Sequence, residues 1–376
     1  MKGLTKEEVS QYQRHIILPE IGKKGQEKLI NAKVLVVGAG GLGCPILSYL
    51  AAAGIGTIGI IDADVVDATN LHRQVLYGKD DIGKPKVEIA KKKLSQLNPF
   101  IQINIYQERL DSSNALKIFQ DYDLIADGTD NFPTRYLIND ACVISDKPFV
   151  FGSIFKFEGQ VSVFNFKNKS GKKGPTYRCL FPEPPSPGSV PNCAEIGVMG
   201  VLPGIIGSMQ ANEVIKIFIG IGDVLNGKLL VYDSLTAEVN TLNFDRVEEN
   251  CDISELIDYE QFCNTNQNSI NMKEISVQDL KQKLDDHEDF QLIDVRESYE
   301  YDICNLNGEL IPLGKIIDKA DRISRDKPVI IHCKSGGRSA MAIEELEKKH
   351  SLTNLFNLKG GITAFANEID NSITLY

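Results

Sequence analysis

The stretch Val34-Leu35-Val36-Val37-Gly38-Ala39-Gly40-Gly41-Leu42-Gly43 decides the fold. An unbroken apolar run suits a strand covered on both faces. The glycines that follow permit a tight turn and a close backbone approach, and a helix at Cys44–Ala53 would point its amide end at a phosphate. A second strand is expected at Thr57–Ile61. Asp62 ends it, where an acid can hold ribose hydroxyls. Gly38, Gly40, Gly41, Gly43 and Asp62 alone suit a nicotinamide enzyme as well as an ATP enzyme.

The pattern continues outward. Val87, Ala90, Leu94 and Leu97 mark one face of a helix, and Ile101, Ile103 and Ile105 alternate as in a half-buried strand. A strand at Tyr122–Ala126 and a helix at Phe132–Ile144 follow. Phe149–Phe155 and Gln160–Phe166 read as an antiparallel pair turning at Glu158-Gly159. The fold class is therefore α/β: a Rossmann-like, doubly wound, mostly parallel sheet with an antiparallel extension, then a smaller α/β domain. The polar run Asn264–Asn271 marks a linker. The boundaries expected are 1–255 for the first domain, 256–272 for the linker and 273–376 for the second. In that second domain the strands are Gln291–Ile293 and Val329–His332, with a helix from about Arg338 to Lys349.

The chain has 376 residues, 42% of them apolar and 24% charged, enough for two cores. Its net charge of −10 disfavours non-specific nucleic-acid binding, which needs clustered Lys and Arg. Val34–Ile61 carries no charge and is long enough to span a bilayer, but its glycines and Pro45 break it into strand, turn, helix and strand, so no membrane association is expected. The polar N-terminus shows no signal-peptide pattern. The eight cysteines are scattered, which points away from a secreted disulfide framework and toward a reducing, cytoplasmic setting.

Charged residues at the strand ends narrow the ligand. Asn70 and Arg73 lie in NLHRQ, Lys86 in GKPK, and Asp130-Asn131 follow the Tyr122–Ala126 strand. A neutral nicotinamide ring needs no such cations, whereas Arg73 and Lys86 can neutralise a triphosphate and Asp130 can hold Mg²⁺. The run from Tyr12-Gln13-Arg14-His15 through GAGGLGCP, IIDADVVDATNLHRQVLY, IGKPKVE and DGTDNFPTRY resembles the MoeB/ThiF family over most of residues 1–250. These ubiquitin-activating-enzyme-like proteins adenylate the C-terminal glycine of small ubiquitin-like sulfur-carrier proteins. The resemblance implies ATP with Mg²⁺ bound by Gly41, Asp62, Asn70, Arg73, Lys86, Asp130 and Asn131. It also implies a homodimer in which Arg14 enters the neighbouring subunit's site.

Five prolines in Phe181–Pro191 exclude a regular helix or central strand there. The stretch leads to Cys193, just before an apolar segment at Ala194–Gly200 expected to be helical. The family resemblance places a loop cysteine at Cys193, which forms a covalent link to the activated carrier in some members. Cys44 and Cys142 lie in apolar helices and read as core. Many family members bind structural zinc through two CxxC pairs. The matching positions here are Thr176-Tyr177-Arg178-Cys179 and Cys251-Asp252-Ile253-Ser254, each short of one sulfur. Two thiolates fall below the four ligands of a closed zinc site, so no zinc is expected.

Val329–His332 leads into Cys333-Lys334-Ser335-Gly336-Gly337-Arg338-Ser339. Loop amides, the following helix N-terminus and Arg338 can stabilise a thiolate or a persulfide anion at Cys333. With Leu292–Glu297 and Leu358–Ile362, this segment resembles a rhodanese domain over about 100 residues, in which four residues between Cys and Arg favour sulfur over phosphate. Phe365 stands where many members carry Trp, and Cys304-Asn305-Leu306 replaces a common His-Ile segment.

The combined reading is an adenylyltransferase–sulfurtransferase in molybdopterin, thiamine or related biosynthesis, supplied by a persulfide donor such as a cysteine desulfurase. Two alternatives are a nicotinamide oxidoreductase and a non-catalytic scaffold that binds ubiquitin-like proteins.

Overall fold

The computed structural model describes residues 2–168, 170–185, 197–264 and 272–375. The chain divides into two compact units, the first reaching Cys263 and the second running from Asn264.

The first unit is an eight-stranded sheet. Its strands are β1 (Lys33–Val37), β2 (Thr57–Ile61), β3 (Gln102–Tyr106), β4 (Leu124–Asp127), β5 (Phe149–Phe155), β6 (Glu158–Phe164), β7 (Lys228–Asp233) and β8 (Val239–Asn243), in the order β3-β2-β1-β4-β5-β6-β7-β8. The strands are parallel from β3 to β5 and antiparallel from β6 onward. The apolar run of β1 is explained by this position. Val34 and Val36 enter one core cluster while Leu35 and Val37 enter the other, on the opposite face. Strand order reverses between β1 and β4, so a crevice opens at their carboxyl ends.

Several expected elements shift, each for a local reason. The β5–β6 turn falls at Lys156-Phe157, not Glu158-Gly159: Glu158 pairs with Phe155, and Lys156 takes the left-handed conformation at φ 55°. Gly159 serves packing instead, since a Cβ there would lie 2.3 Å from Ile206. The helix expected at Ala194–Gly200 is not found in its described part. Val198 bridges to Lys156, and the helix runs Leu202–Ile219, with Pro203 in its first turn. Inside the segment read as linker, Tyr259–Asn264 forms a helix, and Tyr259 and Phe262 pack on the second core cluster. Tyr259 Oη donates to Asp140, whose carboxylate also receives both forks of Arg178 at 2.7–2.8 Å.

The second unit is a five-stranded parallel sheet of β9 (Glu274–Ile275), β10 (Gln291–Asp294), β11 (Glu309–Leu310), β12 (Val329–His332) and β13 (Leu355–Leu358), ordered β11-β10-β12-β13-β9. β12 lies at its centre and alternates between two cores: Val329 and Ile331 face one, Ile330 the other. The helix Gly337–His350 follows at once. No helix among the described residues is long and apolar enough to cross a membrane.

Candidate functional site

In the first unit the loop after β1 is held by close backbone contacts. Gly38 has φ +89°, and a Cβ on Gly43 would lie 2.0 Å from the Gly38 carbonyl oxygen. Only glycine fits either position. The helix Gly43–Ala53 starts from this turn. The Asp62 carboxylate accepts the Ala39 amide at 2.7 Å and the Asp64 amide at 2.8 Å, so it ties the loop to the end of β2. Burial pushes the Asp62 carboxyl above its ordinary range, against the pull of Lys86 and these amides.

The cations converge by a different route. Asn70 Oδ1 accepts Arg73 Nη2 at 3.0 Å and Gln74 Nε2 at 2.9 Å. The Arg73 stem lies beside the loop: a Cβ on Gly41 would be 3.7 Å from Arg73 Cδ and 3.1 Å from Pro203. Lys86 is buried and its ammonium pairs with Asp64 at 2.8 Å, while the Asp64 side chain is 64% exposed. A polyphosphate taking the place of the Asp64 carboxylate would keep the buried Lys86 ammonium paired and return an already exposed carboxylate to water.

At the end of β4, Asp127 is buried and bound by Arg135 Nε at 3.1 Å, the Thr129 amide at 2.8 Å and the Thr129 hydroxyl. Gln210 Nε2 donates to the Asp127 carbonyl at 2.7 Å. This network fixes the turn that presents Asp130 and Asn131. Asn131 caps the helix Phe132–Ile144 by accepting the Thr134 amide. Asp130 is exposed and makes no hydrogen bond among the described residues, so its carboxylate is unengaged at the mouth of the crevice.

Arg14 does not join this group by any hydrogen bond or ion pair among the described residues. It is exposed on the short helix Gln13–Ile16. Cys193 lies outside the described residues. Cys44 and Cys142 are fully buried, and burial pushes the Cys44 thiol up to about 12. Gln74 and Gln210, absent from the sequence-based set, are buried beside the crevice, and their carbonyl oxygens lack partners among the described residues. Only the Gln after Arg73 in NLHRQ offered a hint of the first.

The degenerate CxxC positions meet in space. Cys179 and Cys251 sulfurs are 3.4 Å apart, and Thr176 Oγ1 lies 3.4 Å from the first and 3.7 Å from the second. Burial opposes ionisation of Cys179, but hydrogen bonds from Thr176 and from the Val247 and Thr176 amides outweigh it and hold the thiol below its ordinary value. Among the described residues no three His, Cys, Asp or Glu side chains converge. Two sulfurs and a neutral hydroxyl do not fit structural zinc.

In the second unit the loop closes on its own sulfur. Cys333, 1% exposed, accepts the Gly336 amide at 3.1 Å and the Ser339 hydroxyl at 3.5 Å. Ser339 Oγ also lies 2.7 Å from Asn357 Oδ1. Gly361 backs the loop: a Cβ there would lie 2.5 Å from the Cys333 and Lys334 carbonyl oxygens. Arg338 presents both forks to the fully buried Glu300 carboxylate, at 2.7 and 2.8 Å. Ser339 and Glu300 went unassigned in the sequence. The signal for Ser339 was its place on the first turn after the loop; Glu300, in a capping box with Glu297, carried none. His332 is fully buried, and desolvation lowers its pKa despite Asp294 at 3.7 Å.

Such geometry defines a nucleotide-binding α/β unit joined to a unit built around a single enclosed cysteine. The chain belongs to the ThiF family, which it matches over residues 12–253, and it carries a rhodanese-like domain over residues 276–368. It is 44% identical to the probable adenylyltransferase/sulfurtransferase MoeZ of Mycobacterium tuberculosis, across 100% of this chain and 97% of that protein. It is 52% identical to the sulfur carrier protein adenylyltransferase of Thermus thermophilus, across 69% of this chain and 98% of that protein. The adenylyltransferase and sulfurtransferase MOCS3 of Drosophila yakuba is 40% identical across 99% of this chain and 86% of its own length. Among solved structures, E. coli MccB with MccA-N7isoASN is 25% identical, covering 61% of this chain and 68% of that chain at a TM-score of 0.52.

Proposed function

We propose that the chain adenylates the C-terminal glycine of a small ubiquitin-like sulfur-carrier protein with ATP and then delivers sulfur to it, giving a thiocarboxylate. The observation that carries this reading is the pairing, in one chain, of a cationic crevice at a strand-order reversal with a cysteine enclosed by a glycine-rich loop. The full-length similarity to MoeZ and MOCS3 supports it.

The carrier's carboxylate oxygen attacks the α-phosphorus of ATP. The bond to the bridging oxygen breaks and pyrophosphate leaves. Two anions must approach, so the site's task is electrostatic. Arg73 and Lys86 supply fixed positive charge beside the glycine loop, and one such preorganised donor is typically worth about 10²–10³ in rate. Asp62 holds ribose, and Asn70 keeps Arg73 in place. Mg²⁺, held by Asp130, would neutralise phosphate charge. Arg14 acts in the neighbouring subunit of a homodimer, a reading supported by its exposure and by its making no hydrogen bond or ion pair among the described residues.

The second half uses Cys333. Its terminal persulfide sulfur, loaded by a donor such as a cysteine desulfurase, attacks the acyl-adenylate carbonyl and AMP leaves. The Gly336 amide and Ser339 hydroxyl stabilise the anionic sulfur. The product is an acyl-disulfide on Cys333. The Cys193 thiolate then attacks Cys333 Sγ, the S–S bond breaks, the carrier leaves as thiocarboxylate, and the Cys193–Cys333 disulfide is reopened by an external thiol reductant. Or else Cys193 attacks the outer sulfur, Cys333 leaves as thiolate, and the same reductant frees the carrier from the transient acyl-disulfide on Cys193. A cytoplasmic setting suits free thiols, and molybdopterin biosynthesis is the first pathway to test. Mass spectrometry of a carrier incubated with ATP, a sulfur source and this protein tests the whole reading. A carrier heavier by the exchange of one oxygen for sulfur is expected. An unchanged carrier, together with no ATP–pyrophosphate exchange, overturns it.

A further inference from the structure

We propose that Cys179 and Cys251 form a redox-active dithiol, oxidised to a disulfide by a hydroperoxide, at the place where zinc-binding relatives would hold their metal. The inference does not depend on the proposed activity. It rests on three observations. The two sulfurs are already 3.4 Å apart, so bond formation needs only a small approach. Their donor set lacks the third and fourth ligands that would make a closed metal site, because Thr176 and Ser254 stand at the other two positions. The two thiols differ in access: Cys179 is half-buried and Cys251 is 8% exposed.

That asymmetry orders the steps. The amides of Thr176 and Val247 point at Cys179 Sγ, each at 3.3 Å, and stabilise negative charge on it. The Cys179 thiolate attacks the peroxide O–O bond. An S–O bond forms, the O–O bond breaks, and hydroxide leaves and takes up a proton. Cys251 sulfur then attacks the sulfenic sulfur. The S–S bond forms, the S–O bond breaks, and water leaves with the Cys251 proton. Two thiols and one hydroperoxide give one disulfide and, with hydrogen peroxide, two waters.

The link would join the short helix Tyr177–Leu180 to the 3₁₀ turn Glu248–Cys251. It closes a long loop and restricts the unfolded chain, so oxidation should raise thermal stability.

The full-length protein, reduced and desalted, is treated with stoichiometric hydrogen peroxide, alkylated and peptide-mapped, and its zinc content is measured in parallel. The expected result is a cross-linked peptide pair joining Cys179 to Cys251, released by dithiothreitol. Zinc should be well below one per chain, and the melting temperature should rise by several degrees and fall back on reduction. In Cys251→Ser, Cys179 should be trapped as sulfenic acid by dimedone while Cys263 is not. Alkylation of both thiols after peroxide overturns the proposal, as does stoichiometric zinc that protects them. None of these readouts involves ATP or a carrier, so the outcome is separate from that of the adenylation test.

Discussion

Two loops of this molecule share a blueprint and use it oppositely. Each follows a buried parallel strand, turns on glycines and opens a helix: Gly38–Gly43 after β1, and Cys333–Gly336 after β12. In the first, the glycines bring backbone against backbone, and the charged side chains proposed to meet the ligand come from elsewhere: Arg73, Lys86 and Asp130. In the second, an amide and a hydroxyl turn inward onto a sulfur that belongs to the loop itself. On the proposed reading, one loop seats a diffusing polyanion and the other cradles a covalently held atom. The contrast lies in where the loop amides point: Ala39 donates to Asp62 on the neighbouring strand end, whereas Gly336 donates to the sulfur of its own loop.

The contrast can be broken most sharply at its two centres. Cys333→Ala should abolish thiocarboxylate formation, down to background in the mass spectrum, while leaving ATP–pyrophosphate exchange intact. Loss of both activities would mean that the two loops do not act independently. Arg73→Ala should lower pyrophosphate exchange by about 10²–10³, with thiosulfate:cyanide sulfurtransfer unchanged. Full exchange in that variant would remove Arg73 from the phosphate site.

Glu300→Gln sharpens the comparison at the second loop. It removes the buried carboxylate that holds Arg338, and breaking such a pair typically costs about 3–5 kcal/mol. Sulfur transfer should fall and the melting temperature of the second unit should drop, while exchange persists. The smallest effect concerns acidity. Folded His332 has a lowered pKa, so the unfolded chain takes up its proton first as pH falls through about 6.5. The second unit should lose stability as pH falls from 7 toward 5, measured by calorimetry, and His332→Gln should flatten that slope.

Much of the scaffold could be read from the chain because its signals are local. The apolar run of β1, the helix Phe132–Ile144 and the strand Val329–His332 each sit where periodicity puts them. The errors came where a residue answers to distant neighbours. Gly159 looks like a turn glycine, but Ile206 is what requires it. Pro203 starts the long helix later than the apolar pattern suggests. In the candidate site, Arg73 and Cys333 were visible through short motifs, whereas Glu300 and Gln210 gain meaning only from partners far along the sequence. No spacing rule announces a carboxylate 38 residues from the guanidinium it holds.

The near-complete enclosure of Cys333 has a further consequence. A bare thiol walled in by its own loop is shielded from bulky electrophiles. On the proposed reading, a loaded second sulfur would lengthen the side chain by one S–S bond of about 2 Å, so the reacting sulfur would stand farther from the backbone than the bare thiol does. The enclosure therefore limits which sulfur donors can load the residue to those that present a slender persulfide arm.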